Sequence, residues 1–533
     1  MVALLILLSL GTILLTFSWW TSYPLQMNSQ FDFVFNHVSV IYWLSLPFIY
    51  VVLFAIVLRL ENKVARLFAL FGIVLAMQSM IYFYYRIPGS DSQSIRGLTE
   101  YFSNTGDLNP SRRGSSYFQW PSLFILEKSA SLVPGLSLSS VEFTLFTVIL
   151  FFYVAVLYLF ATRYDGSNAH LFMIGFFIMA PYVFGFQLVP FFVSMNILFL
   201  MFLLQSTTES YQTTILTLIL FISVCLTHAL VPLFFILYTL VRAGEKARRE
   251  FFLKLSLIEL IIYFAVSTAV APIFFVQSVQ NLSNVLSSTY GKILEQTLTA
   301  GRVAPRPMID ILAQMFSRSV AIGTASVLGV GFIILAMKNK LKHSDLAILF
   351  AASAYAVVGF VLPILGERSW IVLAAVLSIG AVYYAGRYAK WFKIALLCFL
   401  LLSIFTQISS SFLDTQTFFQ TRAEYQSANF FLENVRLVSF PNQPVTALSH
   451  FRTVTYLLAK GGGDVVYKSD FSEGFPANLS TNDYILYTVG LGKSFLRMNI
   501  SEEGYDKIWS TFDIVENTGS TFLASNPNSS RLP

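Results

Sequence analysis

The sequence predicts a polytopic α-helical membrane protein of about thirteen transmembrane helices. It places the N-terminus inside, surface-lying helices in the first long outer loop, and a small extracytoplasmic α/β domain at the C-terminal end. Three observations predict this. The first is composition: of 533 residues, 56% are hydrophobic and only 12% are charged, with a mean hydropathy of +0.68. A soluble domain carries about twice that share of charge. The second is a succession of apolar runs, each near the 20 or so residues that a helix needs to cross hydrocarbon. The third is the placing of Lys and Arg in short segments between those runs. The net charge of +6 is spread through these segments, which gives no sign of a nucleic-acid surface. Cys225 and Cys398 are the only cysteines. They provide neither a disulfide framework nor metal-ligand spacing.

The candidate spans are 2–20, 39–59, 67–85, 141–162, 170–186, 188–206, 213–242, 255–276, 319–337, 346–365, 370–386 and 394–412. The first lacks the basic flank and small-residue site of a cleaved signal peptide. The run 213–242 is too long for one helix and is interrupted at Thr227-His228. We expect two shorter helices meeting there.

Alternate loops carry Arg59, Lys63 and Arg66; Arg163; Arg242, Lys246, Arg248, Arg249 and Lys254; Lys338, Lys340 and Lys342; and Arg387, Lys390 and Lys393. Short basic loops stay in the cytoplasm. Segments 86–140 and 277–318 and everything after 413 then lie outside. The break in 213–242 keeps every loop on a consistent side. The chain divides after 412, with 1–412 in the membrane and 413–533 as the outer domain.

In the first outer segment, Ser92 to Tyr101 has helical spacing, closed by Asn104-Thr105-Gly106, and a second amphipathic helix spans about 119–132. Both suit the membrane surface. The second outer segment, 277–318, is basic, with Lys292, Arg302, Arg306 and Arg318. That runs against the usual bias. An anionic ligand accounts for these cations, and so does pairing with anionic lipid headgroups. After 413 the text becomes polar and alternates: helices at 423–436, 451–460 and 502–511, and strands at QPVTALS, VVY, YILYTV and TFLAS. This alternation predicts an α/β layer domain. Gly461-Gly462-Gly463 is a turn rather than a phosphate loop. Asn281, Asn478, Asn499 and Asn528 form glycosylation sequons in outer segments.

Few polar residues are placed to carry chemistry. Asp91 follows the third span at the start of the first surface helix, where it also fits an N-terminal cap. Asp107 is its rival in the same loop. Glu367-Arg368 joins two apolar runs with almost no loop between. Arg suits bidentate phosphate recognition, and an interfacial turn with paired charges is the alternative. His228 interrupts an apolar run, where a packing role competes with a ligand role. On the orientation above, Asp91, His228, Arg302, Arg306, Glu367 and Arg368 all fall on the outer side. Carboxylates and arginines there suit a substrate with a lipid tail and a phosphate head.

The first outer loop then supplies a resemblance. Asp91, the helix ending in Asn104-Thr105-Gly106-Asp107-Leu108, Tyr117-Phe118-Gln119-Trp120-Pro121 and Pro134-Gly135-Leu136-Ser137 resemble the GT-C superfamily of multispanning glycosyltransferases. The nearest likeness is to prokaryotic and archaeal members related to protein O-mannosyltransferases. Thr227-His228 and Gly366-Glu367-Arg368 also resemble recurring family features. Three departures stand beside these. The pair of neighbouring acids common in the family is absent. The loop follows the third span rather than the first. The Trp-Trp-Asp-Tyr-Gly stretch of oligosaccharyltransferases is missing, which disfavours transfer of a whole oligosaccharide to Asn.

The resemblance implies inverting transfer of a sugar from a polyprenyl-phosphate-linked donor to a glycan or protein acceptor at the outer face. Asp91 would be the general base. Arg368, with Arg302 or Arg306, would hold the leaving lipid phosphate. Glu367, His228 and Asp107 would complete the substrate site. The resemblance leaves room for a divalent cation without demanding one. Two other classes remain: a non-catalytic scaffold or assembly subunit with an outer binding domain, and a transporter or lipid flippase. The last calls for matching broken helices in two repeats, and only the break at 227–228 is seen.

Overall fold

The computed structural model describes residues 1–23, 38–83, 90–106, 120–132, 138–179, 190–207, 210–228, 230–245, 248–270, 308–361, 366–404 and 430, and five strands between 445 and 525. At some helical positions within these ranges only the backbone is described.

The helices run in chain order as α1 Val2–Ser22, α2 Val40–Arg59, α3 Lys63–Gln78, α4 Ser90–Thr105, α5 Ser122–Ser131, α6 Leu138–Thr162, α7 Ala169–Met179 and α8 Pro190–Thr207. There follow α9 Tyr211–Thr227, α10 Val231–Arg242, α11 Arg249–Val270, α12 Met308–Met337, α13 His343–Val361, α14 Gly366–Leu377, α15 Ala381–Arg387 and α16 Ala389–Leu402. Seven helical stretches among the described residues are long and apolar enough to cross a membrane: Val2–Ser22, Val40–Arg59, Lys63–Phe83, Ser140–Thr162, Arg249–Ala269, Ser319–Met337 and Trp370–Arg387. Four shorter apolar helices, α7 to α10, lie among them. α7 is the centre, with all eleven of its residues buried. α1 is the edge, presenting Ile6, Leu10, Ile13, Phe17 and Trp20 outward, as lipid-facing residues are.

The break expected in 213–242 is present. His228 is extended (φ −155°, ψ 139°) and ends α9, and Pro232 in the first turn starts α10. α12 begins at Met308, inside the segment 277–318 that the sequence reading left outside the spans. The run 370–386 is also not uniform. Ser378–Gly380 forms a 3₁₀ turn between α14 and α15. There α12 passes very close: a Cβ on Gly380 would lie 1.9 Å from the Leu328 carbonyl oxygen, and one on Gly331 2.6 Å from the Gly380 oxygen. Only glycine allows that backbone approach.

Contacts at the helix ends sort them into two groups. At one end, Arg66 Nη1 donates to the Ser167 carbonyl (3.2 Å), Tyr164 Oη donates to Asp345 Oδ1 (2.6 Å), and Arg242 Nη1 donates to the Gln205 carbonyl (3.3 Å). At the other, Trp19 Nε1 donates to the Tyr82 carbonyl (2.8 Å), Ser122 Oγ to the Leu226 carbonyl (3.0 Å), and Trp370 Nε1 to the Met179 carbonyl (2.7 Å). The Lys- and Arg-bearing loops share the first end. Several of their cations are consumed by the fold. Arg163 reaches Asp345 Oδ1 at 3.4 Å and stands over the Phe160 and Tyr164 rings, while Arg242 pairs with Glu245 at 2.9 Å over Phe252.

The strands are β1 Val445–Ser449, β2 Val465–Lys468, β3 Tyr484–Thr488, β4 Asp513–Asn517 and β5 Thr521–Ser525. They form one sheet in the order β2-β1-β3-β5-β4. β1 pairs in parallel with β2 and β3, and β5 pairs antiparallel with β3 and β4, with a bulge between Ile514 and Glu516. Parallel neighbours demand long crossovers, which 450–464 and 469–483 provide in length. Four of these strands were expected, and β4 was not. The helices expected at 423–436, 451–460 and 502–511 lie outside the described residues, apart from the helical Phe430.

Candidate functional site

The site is assembled around α4 and α5. Their sequences are amphipathic, and they pack on each other and on the bundle end that carries Trp370 and Leu226. α4 starts at Ser90, so Asp91 lies in its first turn, where a negative charge is favoured by the helix dipole. α4 stops at Thr105, and Gly106 takes φ +66°, a left-handed closure suited to glycine. α5 covers Ser122–Ser131, slightly shorter than the expected 119–132.

Three charged side chains hold these helices. Arg96 of α4 donates from Nε to Glu142 Oε1 of α6 at 2.8 Å and from Nη2 to Oε2 at 3.2 Å. Thr99, one turn further along α4, donates to Glu127 Oε2 of α5 at 2.7 Å. Arg96, Glu127 and Glu142 are each only 2–3% exposed. Phe102 meets Phe124 edge-on at 5.8 Å. Sequence reasoning passed over these residues. The signal was there: Glu142 is the sole charge in a 25-residue apolar helix, and an intramembrane charge is functional or paired by default.

His228 closes the neighbouring corner. It is 7% exposed, accepts at Nδ1 from the Leu230 amide (3.1 Å), and lies 5.5 Å from the Phe191 ring. α5 reaches the same corner through the bond from Ser122 to Leu226. Glu367 and Arg368 are in the first turn of α14, whose Trp370 is tied to the end of α7. The side chains of Asp91, Glu367 and Arg368 are not among those described. Asp107, Arg302 and Arg306 lie outside the described residues. The described backbone therefore brings α4, α5 and the His228 corner together, and it places the start of α14 at the same end.

A cleft of about 470 Å³ opens at this end between α1, the 3₁₀ turn Ser79–Phe83 and the start of α6. Leu15, Trp19, Tyr82, Phe83 and Phe143 line it, with Thr16, Tyr23, Ser79, Ser140 and Thr144 as its polar rim. Such a lining accepts an apolar chain and a few hydrogen bonds. Among the described residues, no group of three or more His, Cys, Asp or Glu side chains converges to hold a metal.

No family model and no curated protein matches the chain. Among solved structures, the chain is similar to ArnT from Cupriavidus metallidurans in the apo state, at 11% identity over 86% of this chain and 97% of that one, with a TM-score of 0.47. It is also similar to the same ArnT bound to undecaprenyl phosphate, at 13% identity over 88% and 98% of the two chains, with a TM-score of 0.37.

Proposed function

We propose that this chain is a membrane glycosyltransferase of the GT-C type, transferring a sugar from a polyprenyl-phosphate-linked donor to an acceptor hydroxyl at the extracytoplasmic face. The observation that carries this reading is the mounting of α4. Burying an arginine and two glutamates at a helix-bundle end is a poor way to gain stability, since desolvation offsets most of the attraction. It does fix one helix in one position. That helix bears Asp91 in its first turn, and an apolar cleft opens at the same end of the bundle.

In this mechanism the Asp91 carboxylate takes the proton of the acceptor hydroxyl. The acceptor oxygen bonds to the anomeric carbon as the bond from that carbon to the phosphate oxygen breaks, inverting the centre. The lipid phosphate leaves with the electron pair. Arg368, with Arg302 or Arg306, offsets its charge. Glu367, His228 and Asp107 bind the sugar or acceptor.

Asp91→Asn tests the reading. It should lower release of polyprenyl phosphate from a polyprenyl-phosphate-linked sugar by roughly 10²-fold or more, the scale of a lost general base, with the melting temperature unchanged. Full turnover in that variant overturns the assignment of Asp91.

A further inference from the structure

At the end of the bundle opposite Asp91, one rim differs from its neighbours. The basic loops elsewhere at this end carry acids: Glu61 beside Arg59 and Lys63, Asp165 beside Arg163, and Glu245 and Glu250 among Arg242, Arg248, Arg249 and Lys254. Arg242 and Lys254 are paired with those glutamates. The segments 337–344 and 381–397 hold Lys338, Lys340, Lys342, Arg387, Lys390 and Lys393 and no Asp or Glu. The next acid, Asp345, is 1% exposed and already bonded to Tyr164 and Arg163.

The fold gathers these two segments. α12 packs on α15 and α16. Asn339, at φ 52°, closes α12, with the Lys340 amide donating to the Leu335 carbonyl at 3.0 Å, so Lys338 and Lys340 leave the helix in a set direction. Lys338 Nζ stands 5.4 Å over the Tyr383 ring, and Arg387 5.8 Å over Tyr388. Ring faces orient these cations without neutralising them. Trp391 is 72% exposed beside Lys390. Among the described residues no acid pairs with Lys338, Lys340, Arg387 or Lys390, and Tyr and Trp with such Lys and Arg at the end of two spans match the headgroup depth of a bilayer.

We propose that this rim is a binding site for an anionic phospholipid of the bilayer leaflet that surrounds it. The phosphodiester lies between Lys338, Lys340, Arg387 and Lys390, and the headgroup edge rests on Trp391 and Tyr388. Charge complementarity selects this occupant. A zwitterionic lipid brings its own ammonium and gains little from four cations. The site lies at the opposite end from α4, so its test stands or falls apart from the proposed transferase chemistry.

The experiment places the full chain in nanodiscs of phosphatidylcholine containing a minority of phosphatidylglycerol and measures co-purifying lipid by native mass spectrometry. The wild type should retain phosphatidylglycerol in excess of its share of the bilayer, and less of it as salt rises. The variant Lys338→Gln/Lys340→Gln/Arg387→Gln/Lys390→Gln should lose that retention, by about fivefold per charge at low salt. The control Lys63→Gln/Arg248→Gln/Arg249→Gln/Lys254→Gln removes the same number of charges at the same end and should keep it. Equal loss in both variants, or no loss in the first, overturns the proposal. So does displacement of phosphatidylglycerol from the wild type by added polyprenyl phosphate at a lower share of the bilayer, which would give the rim to the donor lipid. All four substituted side chains are exposed, so the fold should be unaffected.

Discussion

Arg96 and Glu142 are 46 residues apart in sequence, yet they face each other at 2.8 Å and 3.2 Å as a two-pronged ion pair that bolts α4 to α6. Removing one partner takes a matched countercharge from a side chain only 2–3% exposed. Glu142→Gln should therefore lower stability by about 3–5 kcal/mol. The double variant Arg96→Met/Glu142→Leu should recover most of that loss, because both halves of this pair leave together. Thermal unfolding in detergent separates the outcomes: if the double variant is as unstable as the single one, the pair is not what holds α4.

A second expectation concerns sidedness. Because the basic loops share one end of the bundle, a reporter fused after Lys342 should read cytoplasmic and one fused after Asp414 external. An external reading at Lys342 would reverse the orientation and move the proposed chemistry to the wrong face.

The crossing of α12 over the 3₁₀ turn gives a steric prediction. The Cβ of Gly380→Ala would meet backbone atoms of Leu328 and Phe332, which cannot step aside as a side-chain tip can. The loss should be about 1–3 kcal/mol or more. Gly386→Ala, with nothing within 4 Å of the added Cβ, should be neutral or slightly stabilising within a helix. Melting temperatures of the two variants decide it.

The turn between α6 and α7 predicts a pH dependence. Partial burial of Asp165 raises its carboxyl pKa, but bonds from the Ser167 hydroxyl, the Asn168 side chain and both residues' amides outweigh it and hold the group below its ordinary value. A depressed carboxyl stabilises the fold above its unfolded pKa of about 3.9 and loses that contribution as pH falls through the folded value. Asp165→Ala should thus be less stable than the wild type at pH 7, with the gap narrowing below about pH 4. A gap that stayed constant down to pH 2 would contradict this.

Some helix edges, such as those of Val40–Arg59, and the break at Thr227-His228 were legible in the sequence because hydropathy and helix breaking are local. Asp91 was legible as a first-turn residue for the same reason, since Ser90 begins a polar, amphipathic stretch. Arg96, Glu127 and Glu142 were not. Arg96 and Glu142 stand among apolar or small neighbours and Glu127 sits beside Lys128, and what makes them matter is a pairing between helices that only the packing reveals. The early start of α12 at Met308 was hidden by the polar residues of its first turns. β4 was missed because Asp513-Ile514-Val515-Glu516-Asn517 is short, polar at its ends and bulged, which breaks the alternation that marks a strand.

The bond from Ser122 to the Leu226 carbonyl spans 104 residues. During synthesis, α5 emerges long before the corner at the end of α9 exists. It must wait at the membrane surface with that hydroxyl engaged elsewhere, until the α9–α10 hairpin has entered the bilayer. The docking of α5 is therefore a late event in assembly, and chains truncated before Leu226 should leave the region around Ser122 open to proteases that the finished protein excludes.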